Sequence, residues 1–404
     1  MAPLDPSIDR IQQCLDEVVQ SVGQFRYPAI SLRHQNARYE LLVKAMHLVQ
    51  AIRGPADLVF ANFENVSLGG QIIYLFSGVF DVIPVGAQSM SATDIAARTG
   101  VMRMMRAVTL FGPFRETGEE EYAHTPNSEI YLAPQMRAQL SAHHPMSGYI
   151  TVDEYCPAML RTHEFLRQHQ WQDRMGLRSN PYTLVHHCEG QTMFEHISQS
   201  PERLTRLNNA MVAEDSLLAE IGLYPFVERL SPLAQADQPT IVDVGGGRGH
   251  IVRQIKQNTP SLAGRFILQD RASVISDNGP EMTRHGIEPM AHDFFTPQPV
   301  KGALVYYIRR VLHDWPDAEV REILTHLAAA MVPKKSRLLI TETILPEVGA
   351  TMAHAYMDHT MMTFGGTERT AKDFARLFDA AGLRLVQVWE SPGVPMRVVE
   401  ARLK

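Results

Sequence analysis

Apolar positions recur at three- and four-residue intervals in the first part of the chain, most clearly from Ile11 to Val22 and from Tyr39 to Ile52. That spacing predicts helices with one buried face. Gly54-Pro55 and Gly69-Gly70 interrupt the pattern as turns. Between Ser91 and Thr125 the predicted elements shorten: a helix start at Ser91-Ala92-Thr93-Asp94, a helix over Ile95 to Arg98, a turn at Gly100, a second helix over Val101 to Leu110, and a hairpin around Glu116 to Glu121. Helix, turn, helix and hairpin in that order make a winged-helix-like segment.

The pattern changes near Pro201. A helical stretch from Glu202 to Arg229 leads through a Pro- and Gln-rich linker, Ser231 to Pro239, into short apolar runs that alternate with helical periodicity. Strands are predicted at Thr240 to Val244, Arg265 to Gln269, Ala303 to Ile308 and Leu338 to Thr341, with helices at Ile251 to Gln257 and Ala318 to Met331. Such alternation predicts an α/β fold, a doubly wound parallel sheet with helical crossovers, whose ligands sit at the carboxyl ends of the strands. Two domains are expected, 1–200 mostly helical and 201–404 α/β.

Composition narrows the function classes. The 404 residues are 45% hydrophobic, as in folded chains, and 38 Lys plus Arg against 44 Asp plus Glu give a net charge of -6. That balance offers no general attraction to nucleic acid or to an anionic membrane. The second helix of the winged-helix-like segment carries only Arg103 and Arg106, and the wing is acidic through Glu116, Glu119, Glu120 and Glu121, which would repel phosphate. A structural or dimerising role is expected there instead of DNA reading. Cys14, Cys156 and Cys188 are too few and too scattered for a disulfide framework. The first residues lack an apolar signal core, and runs such as Leu327 to Val332 fall far short of the roughly 20 residues of a membrane span. A cytoplasmic protein is expected.

The sharpest motif is Asp243-Val244-Gly245-Gly246-Gly247-Arg248-Gly249, between the first strand and a helix. Glycines there allow a tight turn and close approach of a ligand to backbone, and the helix start offers free N–H groups to an anion. The dinucleotide spacing G-x-G-x-x-G fails, because its third glycine would fall on His250 or Val252. An acid leading into the turn suits a ligand that carries an ammonium group, such as S-adenosylmethionine. Asp270, after the second strand, stands where an acid meets a ribose diol in doubly wound folds. Asp293 could accept from an adenine amine while Phe294 packs on the base.

These residues resemble the plant-type S-adenosylmethionine-dependent O-methyltransferase family, of the caffeic-acid type, and most closely its fungal natural-product members. The resemblance is carried by Ile241 to His250, by Leu312-His313-Asp314-Trp315-Pro316-Asp317 and by Gly366-Thr367-Glu368-Arg369-Thr370, in order and at fitting spacings, and it runs from about Leu68 to the C-terminus. Tyr122 to Ser128 resembles the family's step out of the wing. The resemblance implies a helical homodimerisation domain and a Rossmann-like domain that binds S-adenosylmethionine. It implies that Asp243, Gly245, Gly246 and Gly247 cradle the methionine part, that Asp270 holds the ribose and that Asp293 and Phe294 meet the adenine. Arg309 stands where plant members carry a lysine near the cofactor.

The resemblance assigns His313 the role of general base. A histidine titrating at about 6.5 can take the proton of a phenol of pKa about 10 as the oxygen attacks the methyl carbon. Glu342 and Glu368 match the family's flanking acids, and a carboxylate on the second ring nitrogen fixes the tautomer and stabilises the imidazolium. Which of the two meets His313 is left open. Met211, Met357, Met361 and Met362 fall in segments that line the acceptor site in relatives, and thioethers suit flat aromatic ligands. Glu214 and Asp215 replace the His and Ser of plant members, so acceptor identity does not transfer.

Other constellations carry less. His186-His187-Cys188 with His196 lacks metal-ligand spacing, and no G-x-S-x-G elbow accompanies the serines. The expected activity is O-methylation of a phenolic or enolic hydroxyl on a polyketide-derived or other aromatic small molecule. The alternative is a pericyclase or dehydratase on the same fold that binds S-adenosylmethionine without spending its methyl. In some such proteins the histidine of the His-Asp pair is replaced, whereas His313 is retained here.

Overall fold

A computed structural model describes residues 7–24, 40–53, 78–86, 88–100, 113–129, 154–172, 175–205, 221–390 and 396–404, together with Met105, Thr109, Leu132 and Leu207. The chain divides into two compact units, residues 1–148 and 149–404.

In the first unit, helices span Ile8–Gln24 and 40–53, where the apolar periodicity places them. A three-stranded antiparallel sheet, in the order β1 (Ser89–Ser91), β3 (Glu121–His124), β2 (Phe114–Gly118), frames the helix Ala92–Thr99. Ser91 caps that helix, its hydroxyl oxygen accepting from the Asp94 N–H at 3.1 Å, and Gly100 ends it in the left-handed region at φ 75°. The acidic hairpin is therefore present as β2 and β3. The second helix, Val101 to Leu110, lies almost wholly outside the described residues.

The division between the units falls ahead of the change in sequence pattern at Pro201. The helix Cys156–Gln168 packs on the helix Met352–Thr363, and Tyr155 stacks on Phe364 with ring centroids 5.5 Å apart. Tertiary contact groups residues 154–200 with the sheet that follows, which local periodicity could not show.

The second unit is built on a sheet in the order β10 (Leu383–Trp389), β11 (Met396–Leu403), β8 (Arg337–Leu345), β7 (Val305–Arg309), β4 (Pro239–Val244), β5 (Arg265–Asp270), β6 (Glu288–Ala291). A short β9 (Arg369–Thr370) pairs with β8. Strands β4 to β8 run parallel, as alternation with helices requires, and β10 and β11 close the edge antiparallel. The four predicted strands all appear, with β8 running on through Glu342 to Leu345. The helical stretch expected over Glu202 to Arg229 is interrupted: Pro225 precedes a separate short helix, Phe226–Leu230. Val242, Val244, Ile308, Leu338 and Ile340 are all but fully buried between the sheet and its helices. The strand order reverses at β4, whose neighbours are β5 on one side and β7 on the other. The crevice at that reversal is where a ligand site forms.

Candidate functional site

At the carboxyl ends of these strands opens a cavity of about 1290 Å³, whose described lining residues belong to the second unit. One wall is the turn after β4. Gly245, Gly247 and Gly249 have φ of 71°, 56° and 73°, a region that side-chain-bearing residues enter at a cost, so the sequence needs glycine at all three. Gly245 and Gly247 face the cavity. The Gly247 N–H donates to Asp270 Oδ2 at 2.8 Å, and the Arg271 N–H donates to Oδ1 at 2.7 Å. Burial raises Asp270 above the usual carboxylate range, opposed by these two donors.

The remaining predicted cofactor residues divide. Asp293 and Phe294 line the cavity, and Phe294, Phe295 and Trp315 meet edge-on, with Phe295 and Trp315 centroids 4.8 Å apart. Asp243 and Gly246 lie beneath the turn instead: Asp243 is buried, and a Cβ placed on Gly246 would collide with its carboxylate and with Leu268. Arg309, at the end of β7, does not line the cavity, whereas Arg310 does, in a left-handed conformation at φ 52°. The positive φ that places Arg310 there leaves no trace in residue type.

The segment after β7 carries the chemistry. His313 sits in a one-turn 3₁₀ helix, Leu312–Asp314, directly after β7, and is buried to 4% exposure while lining the cavity. Its Nδ1 lies 2.8 Å from Glu368 Oε1, and its Nε2 lies 3.6 Å from Asp314 Oδ1. Glu342 plays a different part, because its Oε1 accepts the backbone N–H groups of Val311, Leu312 and His313 at 3.3, 2.7 and 3.2 Å. The pairing left open by the sequence thus divides: Glu368 meets the ring and Glu342 holds the backbone. Burial pulls the imidazole pKa down, but Asp314, then the hydrogen bond and charge of Glu368, then Glu342 outweigh it and push His313 up to about 9. Asp314 is itself pushed up to about 6 by burial, against the pull of His313 and Arg310. Burial likewise raises Glu342.

Met357 and Met361 line the cavity from the helix Met352–Thr363, together with Tyr356 and Thr360, and Met362 does not. Met211, Glu214 and Asp215 lie outside the described residues. Sequence reading passed over Tyr155, Phe194 and Trp315, which give this end of the cavity its aromatic lining. Phe194 and Trp315 stack at 6.2 Å. Trp315 stood within the His-Asp-Trp motif and could have been read; Tyr155 and Phe194 come from a region with no motif.

His186 and His196 of the histidine cluster join a hydrogen-bonded network around Glu154. Arg203 donates from Nε and Nη2 to both oxygens of buried Glu154 at 2.9 and 2.6 Å, Tyr182 donates to Glu154 Oε2 at 2.7 Å, and His196 Nε2 meets Arg203 Nη1 at 2.7 Å. The His186 ring lies tilted against Tyr182, with centroids 4.2 Å apart. Among the described residues no group of His, Cys, Asp and Glu is placed to hold a metal, and no helix is long and apolar enough to cross a membrane.

Comparison with known proteins agrees with this geometry. A family profile described as an O-methyltransferase domain matches residues 172–384. The O-methyltransferase desB of Aspergillus desertorum is 38% identical over 379 residues, covering 91% of this chain and 88% of that protein. The crystal structure of OxaC in complex with sinefungin and meleagrin is 42% identical with a TM-score of 0.87, covering 98% of this chain and 100% of that one. The structure of LepI in complex with SAM has a TM-score of 0.80 at 23% identity over 98% of this chain and 100% of that one, a likeness of fold alone.

Proposed function

This chain belongs to the S-adenosylmethionine-dependent O-methyltransferase family, and from that premise we propose that it methylates a phenolic or enolic hydroxyl of an aromatic, polyketide-like secondary metabolite, with His313 as general base. The observation that carries the reading is the 2.8 Å contact between Glu368 and the Nδ1 of His313, which lines the same cavity as the glycine turn. At about 1290 Å³ the cavity exceeds the ~300–1,000 Å³ that one drug-sized ligand fills, so cofactor and acceptor fit side by side.

The residues present suit the cofactor. A side chain at Gly245 would be strained at φ 71° and would crowd Val311, its Cβ standing 3.0 Å from Cγ2. Gly245 and Gly247 would receive the amino-acid end, Asp270 the ribose hydroxyls, and Asp293 with Phe294 the base. Asp243 and Gly246 would act beneath the turn by holding its shape. Bound there, S-adenosylmethionine supplies an electrophilic methyl carbon, and the protein's task is alignment and removal of one proton.

His313 takes that proton at Nε2, since Nδ1 faces Glu368. Glu368 stabilises the imidazolium that results. With His313 raised to about 9, its conjugate acid lies closer to a phenol of pKa about 10 than that of an unshifted histidine, so proton transfer is less uphill. Met357 and Met361 would pack on the acceptor ring. Loss of turnover in His313→Ala with cofactor affinity kept tests the assignment, and parental turnover would refute it.

The protein would act as a cytoplasmic homodimer. Ile8, Leu15, Val19 and Val22 on one N-terminal helix, and Leu42, Val49 and Ile52 on the other, are exposed apolar side chains that a second copy would cover. Sedimentation at micromolar concentration tests this, and a monomer would exclude it.

A further inference from the structure

Arg369 is buried to 2% exposure, although its ionic partner Asp317 is half exposed. A buried guanidinium is costly, and an apolar side chain of similar volume would pack there at less expense. Only a guanidinium, however, can donate in several directions from one rigid plane. Nη1 donates to Leu312 O at 2.9 Å and to Thr367 O at 3.2 Å, Nη2 donates to Trp315 O at 2.7 Å, and Nε donates to Asp317 Oδ1 at 2.9 Å.

The positions of those carbonyls matter. Leu312 and Trp315 bracket the turn that carries His313, and Thr367 immediately precedes Glu368. The Thr367 N–H also donates to His313 O at 2.8 Å, and a Cβ on Gly366 would collide with that same oxygen. Glu342 accepts the N–H groups at the start of the turn while Arg369 donates to carbonyls at both ends of it, so an anion and a cation together hold the backbone around the base.

We infer that Arg369 is a positioning residue that fixes the distance between His313 and Glu368, an inference that rests on His313 acting as the base. The charged groups around the pair are Asp314 on the same turn, Glu342 on β8 and Arg310 after β7, with His354 and Asp358 facing Glu368 from the helix Met352–Thr363.

Arg369→Lys keeps a cation and gives up the fork. Misplacement of a catalytic pair by about 1 Å costs up to about 10²-fold in rate. The variant should therefore lose about 10- to 100-fold in kcat with KM for S-adenosylmethionine nearly unchanged, and the pH at which kcat/KM rises should fall from near 9 toward the ordinary histidine range. Asp317→Asn, which leaves Arg369 in place and weakens its outer anchor, should move the same limb in the same direction by less. Parental kcat and pH profile in a folded Arg369→Lys protein would overturn the inference. So would a loss of kcat that only follows a loss of folded protein, with the limb unmoved. If Arg369→Lys does not fold, Asp317→Asn decides, and a parental profile there overturns it. Glu368→Gln is the control: if its limb also stays in place, the base assignment has failed and not the role of Arg369.

Discussion

Glu342 accepts the backbone N–H of His313 at 3.2 Å and leaves the imidazole to Glu368, 2.8 Å from Nδ1. Two carboxylates that look equivalent in the sequence therefore do separate work. One shapes the turn that presents the base, and the other sets the tautomer and charge of the base itself.

His313→Ala should bind S-adenosylmethionine with near-parental affinity and lose about 10² to 10⁴-fold in turnover, the usual contribution of a positioned general base. Calorimetry and a product assay on the same preparation check both halves.

The pH profile follows from the raised imidazole. His313 must be neutral to accept a proton, so kcat/KM should rise about tenfold per unit as pH increases and level off near 9. Glu368→Gln removes the anion on Nδ1 and lowers the imidazole pKa, moving the rise to lower pH. A parental profile that levels near 6.5 would contradict the carboxylate environment described here.

Glu342→Gln should act through the backbone. With the charge on three N–H groups removed, turnover should fall and the melting temperature should drop, because charge-assisted hydrogen bonds to a buried carboxylate are each worth about 1.5–3 kcal/mol. Melting curves of the Glu342 and Glu368 variants side by side would show whether the larger loss belongs to Glu342.

The glycine turn separates sterics from conformation. Gly247→Ala meets open space and costs only its left-handed φ, about 1–2 kcal/mol. Gly246→Ala must displace the Asp243 carboxylate and Leu268, an overpacking cost of about 1–3 kcal/mol or more, and should distort the turn. Asp270→Ala removes the acceptor of the Gly247 N–H and should weaken cofactor binding, and unchanged affinity by calorimetry would overturn its assignment to the ribose.

How far the sequence could be read follows from the range of each signal. The turn after β4 was legible because three positive-φ positions demand glycine, and the strands were legible because apolar runs alternate with helical periods. Arg310 as a lining residue was not legible, because its left-handed φ is invisible in residue type. Which glutamate meets His313 was not legible, because Glu342 reaches the turn across β7 and β8 while Glu368 arrives on a separate loop. Local pattern ends where such long-range packing begins. The grouping of residues 154–200 with the sheet, through Tyr155 and Phe364, was hidden for the same reason.

The most direct test is to incubate the protein with methyl-labelled S-adenosylmethionine and a panel of aromatic and polyketide-like hydroxyl compounds, following the label by mass spectrometry. The account predicts label on an acceptor oxygen with one S-adenosylhomocysteine formed per transfer, and loss of both in His313→Ala. Tight binding of the cofactor with an acceptor that rearranges while the methyl stays in place would contradict methyl transfer and point to the ring-forming chemistry of a pericyclase.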